Sequence, residues 1–370
     1  MRIAQIAPPW IAIPPKNYGG TENVIYHLVE EQVAEGHEVT LFASGDTKTS
    51  AQLVSFLPHA LLEEGVPWQA HRKAYYHLHK AVEYVRAQGT FDIVHTHLSS
   101  ITDMYLFPLM ASFAIPHVTT LHSNLPFDKK PGKTVEADEY YMEWAQLVPI
   151  VAISESARAQ QPWQLNFIDV VHHGLPLDTY RPTSKPREEY FMWLGRFSPE
   201  KGAHLAIEAA RLAQVPLVLA GTVDRSSKEA TRYFHEVIKP SCDDPLVRYM
   251  GPVDMRKKIR LLDRARGFLN PIEWEEPFGM VMIEAMAVGC PVISFARGAA
   301  PEIVVHGETG FLVEDVTEMV SYIPHIGEIN PAAPRAHVER NFSAPVMARK
   351  YIEVYQKAIT QRQEAQPALP

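Results

Sequence analysis

Gly267-Phe-Leu-Asn270 and, after a short loop, Glu276-Pro-Phe-Gly-Met-Val-Met-Ile-Glu284-Ala-Met-Ala-Val288 decide how this chain is read. The first piece has the length and composition of a short buried strand. The second, from Gly279 to Val288, is apolar on every side and reads as a buried helix. Strand, loop and buried helix in succession are the repeating unit of a parallel α/β sheet. Glu284 is the only charge in that helix. A buried carboxylate costs several kcal/mol unless donors satisfy it, and a ligand rich in hydroxyls can supply them. Glu276 stands just before the helix start, beside Pro277 and Gly279, where free backbone N–H groups and partial positive charge form a seat for phosphate. Glu284 lies about 7.5 Å further along the axis at 1.5 Å rise per residue.

Working outward, the chain has 370 residues, more than one hydrophobic core usually holds, so two domains are expected. A net charge of −8 argues against a nucleic-acid partner, which calls for a concentrated basic surface. No apolar run reaches the length of a membrane span. The start, Met1-Arg-Ile-Ala-Gln-Ile-Ala-Pro-Pro9, is broken too early for a secretory signal and reads as a first strand. Cys242 and Cys290 form neither a disulfide framework nor a metal-ligand spacing. A soluble protein of the reducing cytoplasm is expected, with peripheral contact to the inner face of the membrane left open.

Strand-like and helix-like runs alternate throughout. Ile3 to Ala7, Val39 to Ala43, Asp92 to His97, His117 to His122 and Ile150 to Ile153 read as strands. Helices are expected from Thr21 to Glu35, stopped by Gly36, and from Arg72 to Ala87. Leu175 to Arg187, with three prolines and little apolar content, reads as a linker. The alternation then resumes with strands at Tyr190 to Leu194, Pro216 to Ala220, Leu246 to Tyr249, Gly267 to Asn270 and Val292 to Phe295. Ile323 to Pro334 reads as irregular. A last helix, Ala344 to Arg362, carries Tyr351, Val354, Tyr355, Ala358 and Ile359 on one stripe, which calls for a surface to cover it. The expected domains are 1–178, with helix 344–362 packed back on it, and 187–343. The tail from Gln366 is expected to fray.

Ligands of parallel sheets bind at the carboxyl ends of the strands, and four segments fall there. Tyr18-Gly19-Gly20-Thr21-Glu22 opens the first helix, and its glycines let a ligand approach the backbone. Gly195-Arg196 and Glu200-Lys201-Gly202 follow a strand. Arg grips a diphosphate with two N–H groups and Lys adds a point charge. The run from Glu276 to Glu284 is the third, and together with the phosphate seat it outlines a nucleotide-sugar site. His122 ends a strand, where an imidazole can meet a sugar hydroxyl. His95 and His97 end another and read more simply as packing residues, while His172 and His173 find no place. For each segment a structural role is the rival: a capping turn, a solvated basic loop, or a Glu with protein partners.

With these motifs in this order, the sequence resembles the retaining glycosyltransferases of family 4. The most specific element is Glu-x7-Glu, here Glu276 and Glu284. Gly289-Cys-Pro-Val-Ile-Ser and Gly307-Glu-Thr-Gly-Phe-Leu are also similar to that family. The resemblance implies the GT-B architecture, two Rossmann-like domains with parallel sheets facing each other across a cleft. It implies that Arg196 and Lys201 neutralise the donor diphosphate and that Glu276 holds hydroxyls of the transferred sugar. Glu284 would hold the ribose, and backbone N–H groups at Phe278, Gly279 and Met280 would meet sugar or phosphate. Gly19 and Gly20 would admit the diphosphate, His122 would lie near the reacting carbon, and Val253 would contact the base. The catalytic set implied is His122, Glu276, Arg196 and Lys201. No metal or cofactor is expected, because no Asp-x-Asp occurs.

The expected activity is transfer of a hexose from a nucleotide diphosphate sugar, UDP-glucose-like or GDP-mannose, with retention of configuration. The acceptor, a small molecule, glycan or lipid, is expected to meet Gly45 to Gln69 and the region from Leu125 to Tyr141 with Asp128, Lys129, Lys130 and Lys133. Rival readings are a sugar-nucleotide epimerase, a phosphorylase, a non-catalytic sugar-nucleotide sensor or scaffold, and a nicotinamide dehydrogenase. The last is disfavoured by the missing glycine fingerprint.

Overall fold

In the computed structural model the described residues are 1–16, 19–68, 70–127, 137–183, 185–224 and 227–365. Tyr18, Gln69, Asp128, Lys129, Lys130, Lys133 and the tail from Gln366 lie outside them. The chain forms two compact units. The first comprises Met1–Gly174 and the chain from Ala344 onward, the second Leu175–Ser343.

The first unit has strands β1 (Arg2–Ile6), β2 (Glu38–Phe42), β3 (Gln52–Val54), β4 (Ile93–Leu98), β5 (His117–Leu121), β6 (Ile150–Ala152) and β7 (Phe167–Val170). All pair in parallel, in the order β3-β2-β1-β4-β5-β6-β7. The direction of winding reverses between β1 and β4, the position where ligands of open sheets bind. Apolar faces of β1, β2, β4 and β5 and the helix His71–Gln88 share a core of Ile6, Phe42, Leu78, Val82, Val94, Leu98 and Leu121. The opposite face is polar. Gln5 pairs in register with His95, and His97 with Thr120. The helices Gly20–Ala34 and Ala344–Ala365 pack together and supply Gln32, Tyr351 and Tyr355 to that polar face.

The second unit has β8 (Phe191–Arg196), β9 (Leu217–Thr222), β10 (Val247–Tyr249), β11 (Gly267–Asn270), β12 (Val292–Phe295) and β13 (Gly310–Val313). These are again parallel, in the order β10-β9-β8-β11-β12-β13. Phe191, Trp193, Phe197, Leu219, Leu269, Ile293 and Phe295 centre its core. Winding reverses between β8 and β11, so the loops after these two strands lie side by side. Gly202, at φ +69°, makes that contact: a Cβ there would stand 1.8 Å from the Pro271 carbonyl oxygen.

Three short strands escape the sequence pattern: β3 and β7, half-buried at the sheet edges, and β13, which starts on a glycine. β3 and β7 bury too few side chains to show a period, and β13 is only four residues long. The stretch Leu175 to Arg187, expected as a linker, begins at the boundary between the units and is packed within the second. Leu175 N–H bonds the Phe342 carbonyl at 2.8 Å, the Tyr180 ring is buried, and Arg187 donates to the carbonyls of Asp263, Ala265 and Val288. Prolines and low apolar content exclude regular structure there but not packing. Likewise Ile323 to Pro334 contains a 3₁₀ turn, Pro324–Glu328, and the start of the helix Ala332–Asn341. Among the described residues no helix is long and apolar enough to cross a membrane.

Gly202→Ala is expected to destabilise by at least about 3 kcal/mol, because strain at positive φ and a backbone clash combine. That corresponds to a fall of roughly 6 °C or more in the melting temperature. Gly327→Ala is the control in the same unit, since a Cβ there meets nothing within 4 Å. Equal melting temperatures for the two variants in a calorimetric scan would contradict the close-approach role.

Candidate functional site

At the switch point of the second unit, β8 ends on Arg196, which is exposed and lines a surface pocket with Ser198, Glu200, Asp224 and Glu229. A single 3₁₀ turn, Pro199–Lys201, then leads into the helix Ala203–Ala213. Lys201 Nζ donates to Glu276 Oε2, which also accepts from Trp274 Nε1 at 3.0 Å. The same ammonium lies 5.0 Å from the Trp274 ring centroid. The side chains of Lys201 and Glu276 are 19% and 16% exposed, shielded enough for their attraction to exceed that of a surface pair. The loops are tied through their backbones as well, Glu273 N–H to the Glu200 carbonyl at 2.9 Å. Two motifs 75 residues apart thus share one ion pair.

The helix expected over Gly279 to Val288 runs Met280–Ala287. It starts after Gly279, at φ +89°, with no side-chain cap and no acidic residue in its first turn. Its other end is covered by two guanidinium groups: Arg335 donates to the Ala287 carbonyl at 2.7 Å and Arg187 to the Val288 carbonyl at 3.2 Å. Cations at a helix C-terminus complement its dipole. Phe278, Gly279 and Met280 sit at the start. The Phe278 ring is buried, 6.0 Å from Phe342.

Glu284 is buried as expected, 8% exposed, but the protein supplies donors that the sequence reading left to a ligand. The Tyr180 hydroxyl donates to Oε1 at 2.7 Å, and Lys258 Nζ donates to the same oxygen. The segment read as a linker brings in Tyr180, and the helix Met255–Arg264 brings in Lys258. The sequence did hold a signal for Lys258, which shares a helix face with buried Leu261 and Leu262. A lysine on an apolar face calls for a buried partner. Burial, with Glu284 next, pushes the Tyr180 phenol far up, so it stays a proton donor. A carboxylate accepts about four hydrogen bonds, so capacity remains on Glu284. Val253 is half-buried just ahead of Asp254, which caps that same helix by accepting from Lys257 N–H at 2.7 Å.

One element was missed. The loop after β12 supports Glu276: Ala299 N–H bonds its carbonyl at 3.0 Å, and a Cβ on Gly298 would stand 2.3 Å from its nitrogen. Arg297-Gly298-Ala299 follows a strand and precedes a helix, the pattern that had singled out the other loops.

In the first unit, Gly19 is buried and Gly20 exposed at the start of Gly20–Ala34. The Glu22 carboxylate folds back against Gly19, leaving no room for a Cβ, whereas nothing lies within 4 Å of one at Gly20. Burial pushes Glu22 up to about 7, with its own backbone N–H opposing and Asp103 adding to the rise. Burial likewise raises Asp103 to about 6 against hydrogen bonds from Ser99 and Ser100. His122 follows β5, its N–H bonded to the Leu98 carbonyl at 2.8 Å. Its Nε2 meets His97 Nδ1 at 3.0 Å, and its ring stacks on His173 at 5.2 Å. Burial first, then neighbouring rings, holds His122 well below the usual imidazole range, so it is neutral. Among the described residues no group of His, Cys, Asp or Glu is arranged to hold a metal ion.

Two family descriptions match adjoining stretches of the chain: "Glycosyltransferase Family 4" over residues 18–179 and "Glycosyl transferases group 1" over residues 179–326. A putative glycosyltransferase of Bacillus subtilis is 26% identical, with 95% of this chain and 91% of that one covered. A D-inositol 3-phosphate glycosyltransferase of a Mycobacterium species is 25% identical over 94% of this chain and 88% of that one. Among solved structures, sucrose-phosphate synthase of Thermosynechococcus elongatus superimposes with a TM-score of 0.74 at 20% identity, covering 97% and 99% of the two chains. Anabaena HepE, solved with UDP and glucose, gives 0.69 at 19% identity over 96% and 99%. The chain belongs to the family 4 glycosyltransferases, with the GT-B fold, and is a retaining enzyme that uses a nucleotide-sugar donor.

Lys258→Met is expected to destabilise by about 3–5 kcal/mol, because it strands a buried carboxylate. Adding Glu284→Gln should recover part of that, with a coupling of about 1–3 kcal/mol in a double-mutant cycle by denaturant unfolding. Additive losses would mean the pair does not interact. Glu22 gives a pH test. Its folded pKa, about 7, exceeds the ordinary 4.5, so its contribution is fully present below about 4.5 and is lost as pH rises through about 7. Glu22→Gln should remove roughly 3 kcal/mol of that decline, read as a flatter curve of unfolding midpoint against pH.

Proposed function

We propose that the protein transfers a hexose from a nucleotide diphosphate sugar, UDP-glucose or a close relative with GDP-mannose as the second choice, to an acceptor hydroxyl. The observation that carries this reading is the meeting of Lys201, Glu276 and the uncapped start of Met280–Ala287 at one switch point. A positive helix end beside an ammonium suits a diphosphate. The carboxylate within reach of that ammonium suits sugar hydroxyls. In this reading Lys201 is held by Glu276 until the donor arrives, then turns to the diphosphate while Glu276 takes up hydroxyls of the sugar. Arg196, exposed at the end of β8, adds a second cation. Glu284 has capacity left for the ribose, and Val253 lies toward the base. In the first unit, Gly20 has open space at its α-carbon and His122 stands directly after β5. HepE, whose structures are described with UDP and with UDP-glucose, supports a uridine donor.

Retention follows in this reading from attack on the face the leaving group departs. The bond from the anomeric carbon to the diphosphate oxygen breaks, the bond to the acceptor oxygen forms, and the acceptor's proton passes to the departing phosphate. Lys201, Arg196 and the helix start stabilise the charge that grows on the diphosphate, which takes the place of a metal ion. The acceptor is a small molecule, a glycan or a lipid.

A thermal-shift panel of nucleotide diphosphates and their sugars should show one base preferred, with about 2.7 kcal/mol of stabilisation at a hundred times the dissociation constant. Glu276→Ala should lower transfer at least about 100-fold. It should leave nucleotide diphosphate binding unchanged or tighter, because Lys201 is released. Arg196→Ala should weaken the diphosphate far more than the nucleoside. Unchanged turnover in Glu276→Ala removes the sugar-holding role.

A further inference from the structure

The polar face of the first unit holds a chain of hydrogen bonds whose directions can be assigned one by one. Tyr355 has one hydroxyl proton. Gln5 Nε2 and Gln32 Nε2 each donate to its oxygen at 3.0 Å, so that proton goes to His95 Nδ1 at 2.7 Å. The second amide proton of Gln5 goes to Gln32 Oε1 at 2.8 Å. Turning both amides over would set two carbonyl oxygens against one hydroxyl proton and leave one of them facing a bare oxygen, so this orientation is the one that satisfies the network. Gln5 Oε1 therefore faces His97 Nε2 at 2.9 Å as an acceptor, and His97 carries its proton on Nε2. Burial keeps His97 neutral, which leaves its Nδ1 bare. The His122 Nε2 at 3.0 Å from it must then be the donor.

The consequence falls on the far side of the His122 ring. Its Nδ1 is buried and has no hydrogen-bond partner among the described residues. A buried acceptor left unpaired is unfavourable, so the site favours a donor there. We propose that Gln5, acting through His97, is a positioning residue that fixes the proton of His122 on Nε2, so that its bare Nδ1 accepts a hydrogen bond from a ligand hydroxyl. An imidazole so fixed takes a neutral donor such as a sugar hydroxyl and disfavours an oxyanion, which would face a second lone pair. Identifying that hydroxyl as one of the nucleotide sugar rests on the function proposed above; the proton's position does not. His95 extends the same order, donating from Nε2 to Thr120 at 2.7 Å, with Tyr351 next at 2.9 Å. The C-terminal helix thus closes the network at both tyrosines.

The test is ¹⁵N nuclear magnetic resonance of the full chain labelled in histidine, with His122 assigned by the loss of its signals in His122→Asn. The expected native spectrum has a pyridine-type Nδ1 and a pyrrole-type Nε2 for His122; a protonated Nδ1 overturns the proposal. Gln5→Met, which keeps the volume but removes the acceptor, should shift His97 and His122 toward the other tautomer. Tyr355→Phe, which leaves the contacts from Gln5 to Gln32 and to His97 in place, should shift the two histidines less. A tautomer unmoved by Gln5→Met, or moved equally by both variants, ends the positioning role. If Gln5→Met does not fold, the native spectrum alone still decides where the proton sits. UDP-glucose and GDP-mannose are then added separately. The one that raises the melting temperature should move the Nδ1 resonance upfield, while the matching nucleotide diphosphate without sugar should not. A sugar nucleotide that binds without moving Nδ1, or a diphosphate that moves it equally, overturns the hydroxyl assignment. If neither sugar nucleotide binds, the proposed function fails while the tautomer measurement stands by itself.

Discussion

The apolar helix Met280–Ala287 can carry one buried carboxylate because three cations and a phenol converge on its body and its far end. Lys258 and Tyr180 meet Glu284 on the side, while Arg187 and Arg335 take up the carbonyls where the helix finishes. Its start is left without any side-chain cap. Without a side-chain cap, the first-turn N–H groups and the positive end of the dipole stay on that side of the helix. Tyr180 belongs to the proline-rich segment before β8 and Arg335 to the helix after the 3₁₀ turn, so the ends of the second unit are bound to this helix. Arg335 also donates to the Tyr180 carbonyl, which joins the two.

The two units solve the problem of buried polarity in opposite ways. The second concentrates full charges and pairs them, Lys201 with Glu276 and Lys258 with Glu284. The first buries four histidines, two glutamines and two tyrosines on one face, and there burial keeps the imidazoles neutral. A neutral network is directional: each proton has one place, and moving one moves the next. Charged pairs are less directional and exchange partners more easily.

The strand-loop-helix rhythm and the order of the glycine loops were legible because they rest on local features: apolar runs of fixed length, glycines at turns, and Glu284 alone in an apolar helix. From these, ten of the strands and the elements bearing Arg196, Lys201, Glu276, Glu284 and His122 could be read. The stripe on the last helix was visible too, though not that Tyr355 serves it as a hydrogen-bond junction.

Partners were not legible. Tyr180 reaches Glu284 across 104 residues and Tyr355 reaches Gln5 across 350, and nothing local marks either end. The sequence determined which groups need satisfaction: a carboxylate among methionines, a glutamine in a buried strand, histidines at strand ends. Tertiary structure alone decided what satisfies them, because hydrogen bonds and ion pairs form wherever parallel strands and the helices over them bring side chains within about 3 Å. The packing of the Leu175 to Arg187 stretch was hidden for the same reason. Its prolines fix only its own backbone, whereas its packing is set by Arg187 and Tyr180 finding carbonyls and a carboxylate that other segments present.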